Sequence, residues 1–88
     1  MPREDIVLAH KHSSIHREEI LRSQLCGCFH CVHRFVPALI TEWTDLNENG
    51  IGQTAFCPEC VIDSVIGSES GYPITPEFLQ KMRRYWFS

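Results

Sequence analysis

Four cysteines of this 88-residue chain have the spacing of metal ligands. They form two C-x₂-C pairs, Cys28-Phe-His-Cys31 and Cys57-Pro-Glu-Cys60, with 25 residues between the pairs. A thiolate sulfur binds Zn²⁺ at about 2.3 Å, and two C-x₂-C turns supply the four donors of a closed tetrahedral site. A closed site leaves no coordination position for a reacting water. The spacing therefore predicts one structural Zn²⁺ bound by Cys28, Cys31, Cys57 and Cys60, and no catalysis at the metal.

Three residues beside the first pair are alternative ligands or hydrogen-bonding neighbours of the thiolates. Cys26 forms a C-x-C with Cys28 and replaces it if the register shifts, although a non-ligand thiol, either buried or close to the site, is the preferred interpretation. His30 and His33 carry nitrogen donors, but four sulfurs already satisfy the ion. We therefore expect these histidines at the surface or in hydrogen bonds to thiolate.

A second histidine cluster lies near the start of the chain, at His10, His12 and His16. His12 and His16 have the i, i+4 spacing that places two ligands on one face of a helix. Ser13 and Ser14 are expected to interrupt such a helix, because serine favours the N-cap position. The sequence therefore predicts solvent-exposed histidines here rather than a second metal site.

Composition indicates one small domain from a reducing compartment. The chain has an odd number of cysteines, five, and a charged start without an apolar stretch behind it. Both features argue against a secreted disulfide framework and favour the cytosol. No stretch approaches the roughly 18 apolar residues of a membrane span. A domain of this length has a thin core, and small domains of this kind often depend on a metal or a partner.

The elements expected to position the ligands are a hairpin between the two cysteine turns and a helix on either side. β-Forming residues over 38–44, an Asn-Gly turn over 47–52 and a return strand over 53–56 predict the hairpin. Thr75 as N-cap and Pro76 at the first helical position predict the C-terminal helix. The predicted segments are a loosely ordered start over 1–13, a helix over 14–25, a zinc-binding core over 26–66, a loop over 67–74 and a helix over 75–87.

This order of elements predicts a small α+β metal-bound domain. Two cysteine turns (knuckles) with a hairpin between them make a zinc ribbon. The same order makes a treble clef if the second knuckle opens a helix. The apolar run from Val61 to Ile66 contains Asp63 and Ser64 and does not decide between the two.

Long strings of the sequence resemble a family of small bacterial cytoplasmic proteins with a zinc-ribbon-like cysteine pattern. The strings are Cys26-Gly-Cys-Phe-His-Cys31, Ile40-Thr-Glu-Trp43, Cys57-Pro-Glu-Cys-Val-Ile-Asp-Ser-Val-Ile-Gly67 and Ser70-Gly-Tyr-Pro-Ile-Thr75. The resemblance runs from about Ser13 to Phe87 and implies a cytoplasmic zinc protein; it transfers no catalytic residues to this chain. Family members tend to read Cys-Pro-Tyr-Cys-Gly at the second knuckle. The present chain instead has Glu59 and Val61, and so lacks a glycine where a left-handed turn is expected.

Charge is distributed unevenly. The formal net charge is −3, and residues 42–77 hold seven acidic residues and no Lys or Arg. Clustered basic residues are what bind phosphate backbones, so the middle of the chain has the wrong sign for nucleic acid. A basic face formed by Arg17 and Arg22 together with Lys81, Arg83 and Arg84, beside stacking aromatics, remains the nucleic-acid alternative.

The preferred function is a non-catalytic interaction or regulatory module with a protein partner. Exposed apolar residues ringed by acids are typical of an interaction surface, and Ile40, Glu42, Trp43 and Phe56 are predicted to form it. An inhibitor encoded by a phage or mobile element fits this class, and a homodimer through the aromatic C-terminal helix is a further alternative. The nuclease alternative, an HNH-like relative, is disfavoured because no histidine lies between residues 34 and 88.

Overall fold

The computed structural model describes residues 3–87, with residue 3 described through its backbone only. Three helices and five short strands lie in this range, and all strand pairs are antiparallel. The helices are α1 (Arg3–Ala9), α2 (Arg17–Arg22) and α3 (Pro76–Trp86), and the strands are β1 (Cys26–Cys28), β2 (Arg34–Phe35), β3 (Trp43–Leu46), β4 (Gly52–Ala55) and β5 (Val65–Gly67). The prediction of a small α+β domain is thereby confirmed.

The first sheet places β1 at its centre, in the order β2-β1-β5. Cys26 pairs with Phe35 on one side and with Gly67 on the other, so both neighbours fix the register of the strand that ends in Cys28. Strands β3 and β4 form a separate hairpin, in which Trp43 pairs with Ala55. The hairpin turn is fixed by Asn47, whose Oδ1 accepts hydrogen bonds from two backbone amides of the turn.

Residues 61–66 were compatible with either a helix or a strand in the sequence, and in the structure the end of this run, from Val65, forms a strand. β5 begins at Val65 and pairs with β1 along its whole length. The helix that a treble clef needs after the second knuckle is therefore not formed by residues 61–67. β-Branched Val65 and Ile66, buried on both sides of the strand, favour the sheet.

The N-terminal region is more regular than the sequence analysis predicted. Residues 3–9 form α1 and residues 10–13 a 3₁₀ turn, whereas a loosely ordered start was expected; the prediction for residues 1–2 lies outside the described residues. The physical reason is tertiary packing. Ile6 and Ala9 lie on one face of α1 and join the hydrophobic cluster formed with α3, which stabilises a helix too short to persist alone.

The second helix is shorter than the predicted span of 14–25. It begins after His16 and ends at Arg22, and Ser13 donates to the carbonyl of His10 instead of capping it. Ile15 has a left-handed φ of 49°, and its amide donates to Thr54 Oγ1 on β4. The amide of His16 donates to the carbonyl of Gln53. Hydrogen bonds to the hairpin thus hold residues 15 and 16 out of the helix.

The C-terminal helix agrees with its prediction. Thr75 Oγ1 accepts a hydrogen bond from the amide of Phe78 at 3.2 Å, and Pro76 opens the helix. Phe78, Leu79 and Met82 are buried. This helix packs so closely on the first sheet that a Cβ added at Gly27 would lie 2.7 Å from Leu79 Cδ1.

The core has two parts, and the cysteines belong to one of them. The first cluster joins α1, α3 and the residue after Cys28, Phe29. The second cluster lies around the knuckles and consists of Ile20, Cys26, Cys28, Phe35, Ile40, Ala55, Cys57 and Val65. The predicted ligands are thus part of the interior of the domain.

Candidate metal centre

The first knuckle is a tight turn at the end of β1. The amide of Val32 donates to the carbonyl of Cys28 at 2.9 Å, which closes the turn. Inside it, the amides of His30 and Cys31 point at Cys28 Sγ, at 3.3 and 3.5 Å. Backbone N–H groups directed at a sulfur stabilise its thiolate form.

The second knuckle repeats this geometry 29 residues later. The amide of Val61 donates to the carbonyl of Cys57 at 2.9 Å, and the amide of Glu59 lies 3.3 Å from Cys57 Sγ. Cys57 in turn donates its own amide to the carbonyl of Ile62. Two copies of one local turn therefore present their cysteines to each other.

A left-handed residue follows the second cysteine of each knuckle. Val32 has φ 67° and Val61 has φ 63°. This conformation is costly for a β-branched residue and easy for glycine. The glycine noted as missing at position 61 is thus replaced by a valine that adopts the left-handed turn nonetheless.

The four thiols converge on one point. The sulfurs of Cys28, Cys31, Cys57 and Cys60 all lie within 4.8 Å of one another. Across the knuckles, Cys28 Sγ is 3.6 Å from Cys60 Sγ, and Cys31 Sγ is 3.6 Å from Cys57 Sγ. Sulfurs at about 2.3 Å from a tetrahedral ion are about 3.8 Å apart, whereas a disulfide needs about 2.05 Å. All five cysteines are free, so the four have the chemistry and the spacing to bind one metal ion.

The four sulfurs differ in environment. Cys28 and Cys57 are buried, and Cys31 and Cys60 are half-buried. Burial by itself raises the pKa of the Cys28 thiol. The Ser64 hydroxyl at 3.1 Å and the amides of Cys31 and His30 outweigh that effect, so the pKa of Cys28 lies below its ordinary value. Burial raises the pKa of Cys60 to about 11 and also raises the pKa of Cys31. Of these three thiols, Cys28 is therefore the most readily ionised.

Cys26 lies outside this group of sulfurs. Its side chain is fully buried in the second core cluster, and burial raises the pKa of its thiol to about 12. The register of β1 between β2 and β5 places Cys28, not Cys26, at the knuckle. The structure thus gives the surplus cysteine the environment of an apolar core residue.

The two histidines beside the first knuckle have different neighbours. The ring of His33 is exposed, and its Nδ1 lies 3.4 Å from Cys31 Sγ. The ring of His30 packs edge-on against Phe87, with centroids 4.7 Å apart. Among the described residues, its Nδ1 is buried without a hydrogen-bond partner. The His30 backbone, rather than its ring, contacts a ligand sulfur.

The histidines near the start of the chain were predicted to be exposed to solvent. In the structure His10 and His12 are half-buried, and His16 is buried. Nδ1 of His16 donates to the carbonyl of His12, and its Nε2 accepts from the amide of Ala55 at 3.1 Å. His12 pairs with Glu19 at 3.1 Å, and His10 stacks on Trp86. These side chains tie the N-terminal region to the hairpin and to α3, and within the described range none joins a metal-binding group.

The predicted interaction surface is only partly a surface. Ile40 is buried in the second core cluster, so its prediction as a contact residue is wrong. Trp43 is half-buried beneath Arg17, whose guanidinium lies 4.5 Å from the ring centroid. Glu42 is exposed and Phe56 half-buried, and both line a small groove beside the second knuckle. The sequence could not show that the 3₁₀ turn Pro37–Leu39 directs Ile40 inward.

Two contacts of the site were not specified from the sequence. The structure places the hydroxyl of Ser64 on Cys28 Sγ. Phe87 packs on both His30 and Phe29, which joins the end of α3 to the first knuckle. The only sequence signal for the second contact was the aromatic run at the C-terminus.

Comparison with known proteins does not extend the assignment. No family model, no curated protein and no solved structure matches this chain. The resemblance to small bacterial cytoplasmic proteins therefore depends on the sequence strings, and the cysteine cluster is the part of it that the structure supports. None of the helices within residues 3–87 has the length and apolar character needed to cross a membrane.

Proposed function

We propose that this chain is a non-catalytic protein-interaction module whose fold is held by one structural zinc ion. The observation that carries the proposal is the cluster of four thiols from two knuckles, all within 4.8 Å. Two C-x₂-C turns, a hairpin between them and a strand after the second describe a zinc-ribbon-type centre. Such a closed set of donors gives the ion a role in shape rather than in turnover.

The energetic argument concerns which parts of the chain the ion joins. The first knuckle belongs to the sheet β2-β1-β5, and the second follows the hairpin β3–β4. A structural zinc ion contributes about 10–16 kcal/mol of apparent binding free energy in zinc-finger peptides. Whole domains are commonly stable by only about 5–15 kcal/mol. The ion would therefore decide whether the two sheets stay together.

Protein binding is the proposed activity because the surface has both apolar and acidic parts. Val61 is 57% exposed beside the second knuckle, and Glu42 and Glu59 are exposed near it. The nucleic-acid alternative has less support. Arg17 lies over the ring of Trp43 and donates to the carbonyl of Gly52. Lys81, Arg83 and Arg84 lie on α3, which packs against α1, whereas Arg22 lies at the end of α2.

The metal part of the proposal is tested by elemental analysis of freshly purified protein. We expect one zinc per chain, and an absorption spectrum of tetrahedral cobalt thiolate after exchange with Co²⁺. Cys57→Ser should lose the metal and the near-ultraviolet circular dichroism, whereas the matched Cys26→Ser should keep one ion per chain. Metal-free protein with an unchanged spectrum would contradict a structural role.

The interaction part needs a separate test. Wild-type protein and Cys57→Ser are compared in affinity capture from the native host, with identified partners then bound as purified proteins. We expect a partner that binds the wild type and not the unfolded variant. Turnover of a substrate by the zinc-loaded protein, abolished by Cys57→Ser, would instead favour an enzyme.

A further inference from the structure

A groove beside the second knuckle has the properties of a docking site for a basic segment of another protein. It is lined by Thr41, Glu42, Phe56, Cys57, Pro58 and Val61. Its lining combines the apolar side chains of Phe56, Pro58 and Val61 with one carboxylate and, among the described residues, contains no Lys, Arg or His. We propose that this groove binds a protein segment in which a lysine or arginine stands next to an apolar side chain; this inference rests on the proposed function.

Val61 combines a left-handed backbone conformation with an exposed side chain. Both knuckles place a valine in the left-handed region, which costs an L-residue roughly 1–2 kcal/mol. Val32 is partly buried and packs against the first core cluster, so folding uses its side chain. Val61 is 57% exposed and lines the groove. Packing within the chain therefore leaves most of its side chain without a role, and a bound partner would give it one.

The charge in and around the groove is negative. Glu42 is exposed in the lining, and Glu59 and Asp63 are exposed two residues to either side of Val61. Cys57 forms part of the groove wall, and four thiolates around one divalent ion have a net charge of −2. The metal centre, Glu42 and the carboxylates near Val61 thus all add negative charge at or near the groove. This charge favours a cationic ligand over an anionic one.

Hydrogen bonds between backbone groups hold both sides of the groove. The amide of Phe56 donates to the carbonyl of Glu42 at 3.0 Å, which fixes the side of the groove where the hairpin meets the second knuckle. The other side is the turn of the second knuckle, which is closed by the hydrogen bond from the amide of Val61 to the carbonyl of Cys57. Since the groove is formed by fixed backbone, a ligand loses little free energy in ordering it.

The test uses zinc-loaded, ¹⁵N-labelled full-length protein and a ten-residue peptide in which lysine alternates with leucine. We expect the peptide to shift the amide resonances of residues 41–42, 56–57 and 59–63, with weaker binding at high salt. A glutamate–leucine peptide should not bind, and a lysine–serine peptide should bind more weakly because it lacks apolar side chains. Equal shifts with the glutamate–leucine peptide, or shifts confined to another surface, would overturn the inference.

Matched variants localise the effect. Glu42→Gln with Glu59→Gln should weaken the lysine–leucine peptide about tenfold, whereas Glu48→Gln with Glu69→Gln, which removes the same charge elsewhere, should not. Val61→Gly should weaken binding about fivefold, because apolar contact is lost. If the double variants bind alike, charge at the groove is not the determinant. If a variant fails to fold, the wild-type resonance map decides by itself.

The outcomes separate this inference from the proposed function. Absence of zinc in the purified protein contradicts the proposed function before any peptide is added. A folded, zinc-loaded protein that shows no shifts at the groove contradicts only the docking site. If a thymidine decanucleotide shifts the same amide resonances, the groove binds single-stranded nucleic acid, and the inference of a protein ligand is overturned.

Discussion

The hydroxyl of Ser64 lies 3.1 Å from the sulfur of Cys28, although the two residues are 36 positions apart. Ser64 directly precedes β5, the strand that pairs with β1, and its carbonyl accepts the amide of Phe29. A residue outside both knuckles thus supplies a hydrogen bond to a ligand of the first knuckle. This relationship couples the pairing of the sheet to the chemistry of the metal centre.

Ser64→Ala is expected to weaken metal binding. Without the hydroxyl, the pKa of Cys28 rises, and protons compete more strongly with the ion. Loss of an outer partner of a ligand typically costs 10–100-fold in metal affinity, and we expect a loss in that range near neutral pH. The deficit should shrink as pH rises. Competition with a chromophoric chelator at several pH values measures it.

The matched control for this variant is Ser14→Ala, an exposed serine distant in sequence from the knuckles. We expect its zinc affinity to equal that of the wild type at every pH. A Ser64→Ala protein with wild-type affinity would show that the hydrogen bond to Cys28 has no effect on the metal.

Val61→Gly is expected to increase the free energy of unfolding of the zinc-loaded protein. Glycine removes the left-handed strain of roughly 1–2 kcal/mol but adds an entropic cost of about 0.5–1 kcal/mol. The net gain should lie between zero and about 1.5 kcal/mol, measured by chemical denaturation with excess zinc. Val32→Gly is the matched variant: it gains the same relief and loses packing against the first core cluster, so it should be neutral or destabilised. Equal effects of the two would refute the distinction.

Gly27→Ala is expected to destabilise the fold. The added methyl would lie 2.7 Å from Leu79 Cδ1 and 3.0 Å from Ile74 Cγ2, so these side chains, or α3 itself, must shift away from β1. Overpacking of this kind typically costs about 1–3 kcal/mol. Thermal denaturation of the single variant and of Gly27→Ala with Leu79→Val measures the effect, since the smaller side chain should restore part of the loss. No restoration would locate the cost elsewhere.

His16 is expected to make stability fall as pH decreases. Burial lowers the pKa of its imidazole below the ordinary value of 6.5, against smaller opposing effects of the His12 carbonyl and Glu19. Nε2 of the neutral ring accepts a hydrogen bond from the amide of Ala55. Protonation of Nε2 would place its N–H against the N–H of Ala55. Since the folded-state pKa is the lower one, the unfolded chain binds more protons between the two values. Stability is therefore complete above about pH 6.5 and is lost as pH falls toward the folded-state pKa.

The measurement compares the pH dependence of unfolding in wild type and His16→Gln, both saturated with zinc. Acid also releases the metal, but that loss is common to both proteins, so the difference in slope reports His16. We expect a smaller slope in the variant, and an NMR titration midpoint for the His16 ring below 6.5. A ring that titrates at or above 6.5 would contradict the burial argument.

Local patterns carried most of what could be predicted. The spacing of Cys28, Cys31, Cys57 and Cys60 identifies the group of sulfurs because a C-x₂-C turn fixes its own geometry. The end of the chain was equally predictable, since Thr75 and Pro76 form the helix start by contacts within one turn. In both cases the interactions that decide the structure join residues only two to four positions apart.

The errors came from interactions between distant segments. Residues 3–9 form a helix because α3 covers Ile6 and Ala9, and His16 is buried because β4 supplies its partner. Ile40 joined the core rather than the surface for the same kind of reason. No window of the sequence contains both members of such a pair.

The sequence by itself determined which four sulfurs can share an ion, how each knuckle turns, and where the last helix begins. Only the tertiary structure decided that β5 follows the second knuckle as a strand, that Ser64 reaches Cys28, and that Val61 stays at the surface while Val32 packs inward. The physical reason is that turn geometry and capping depend on neighbouring residues, whereas burial and strand pairing depend on which distant segments compete for the same interior.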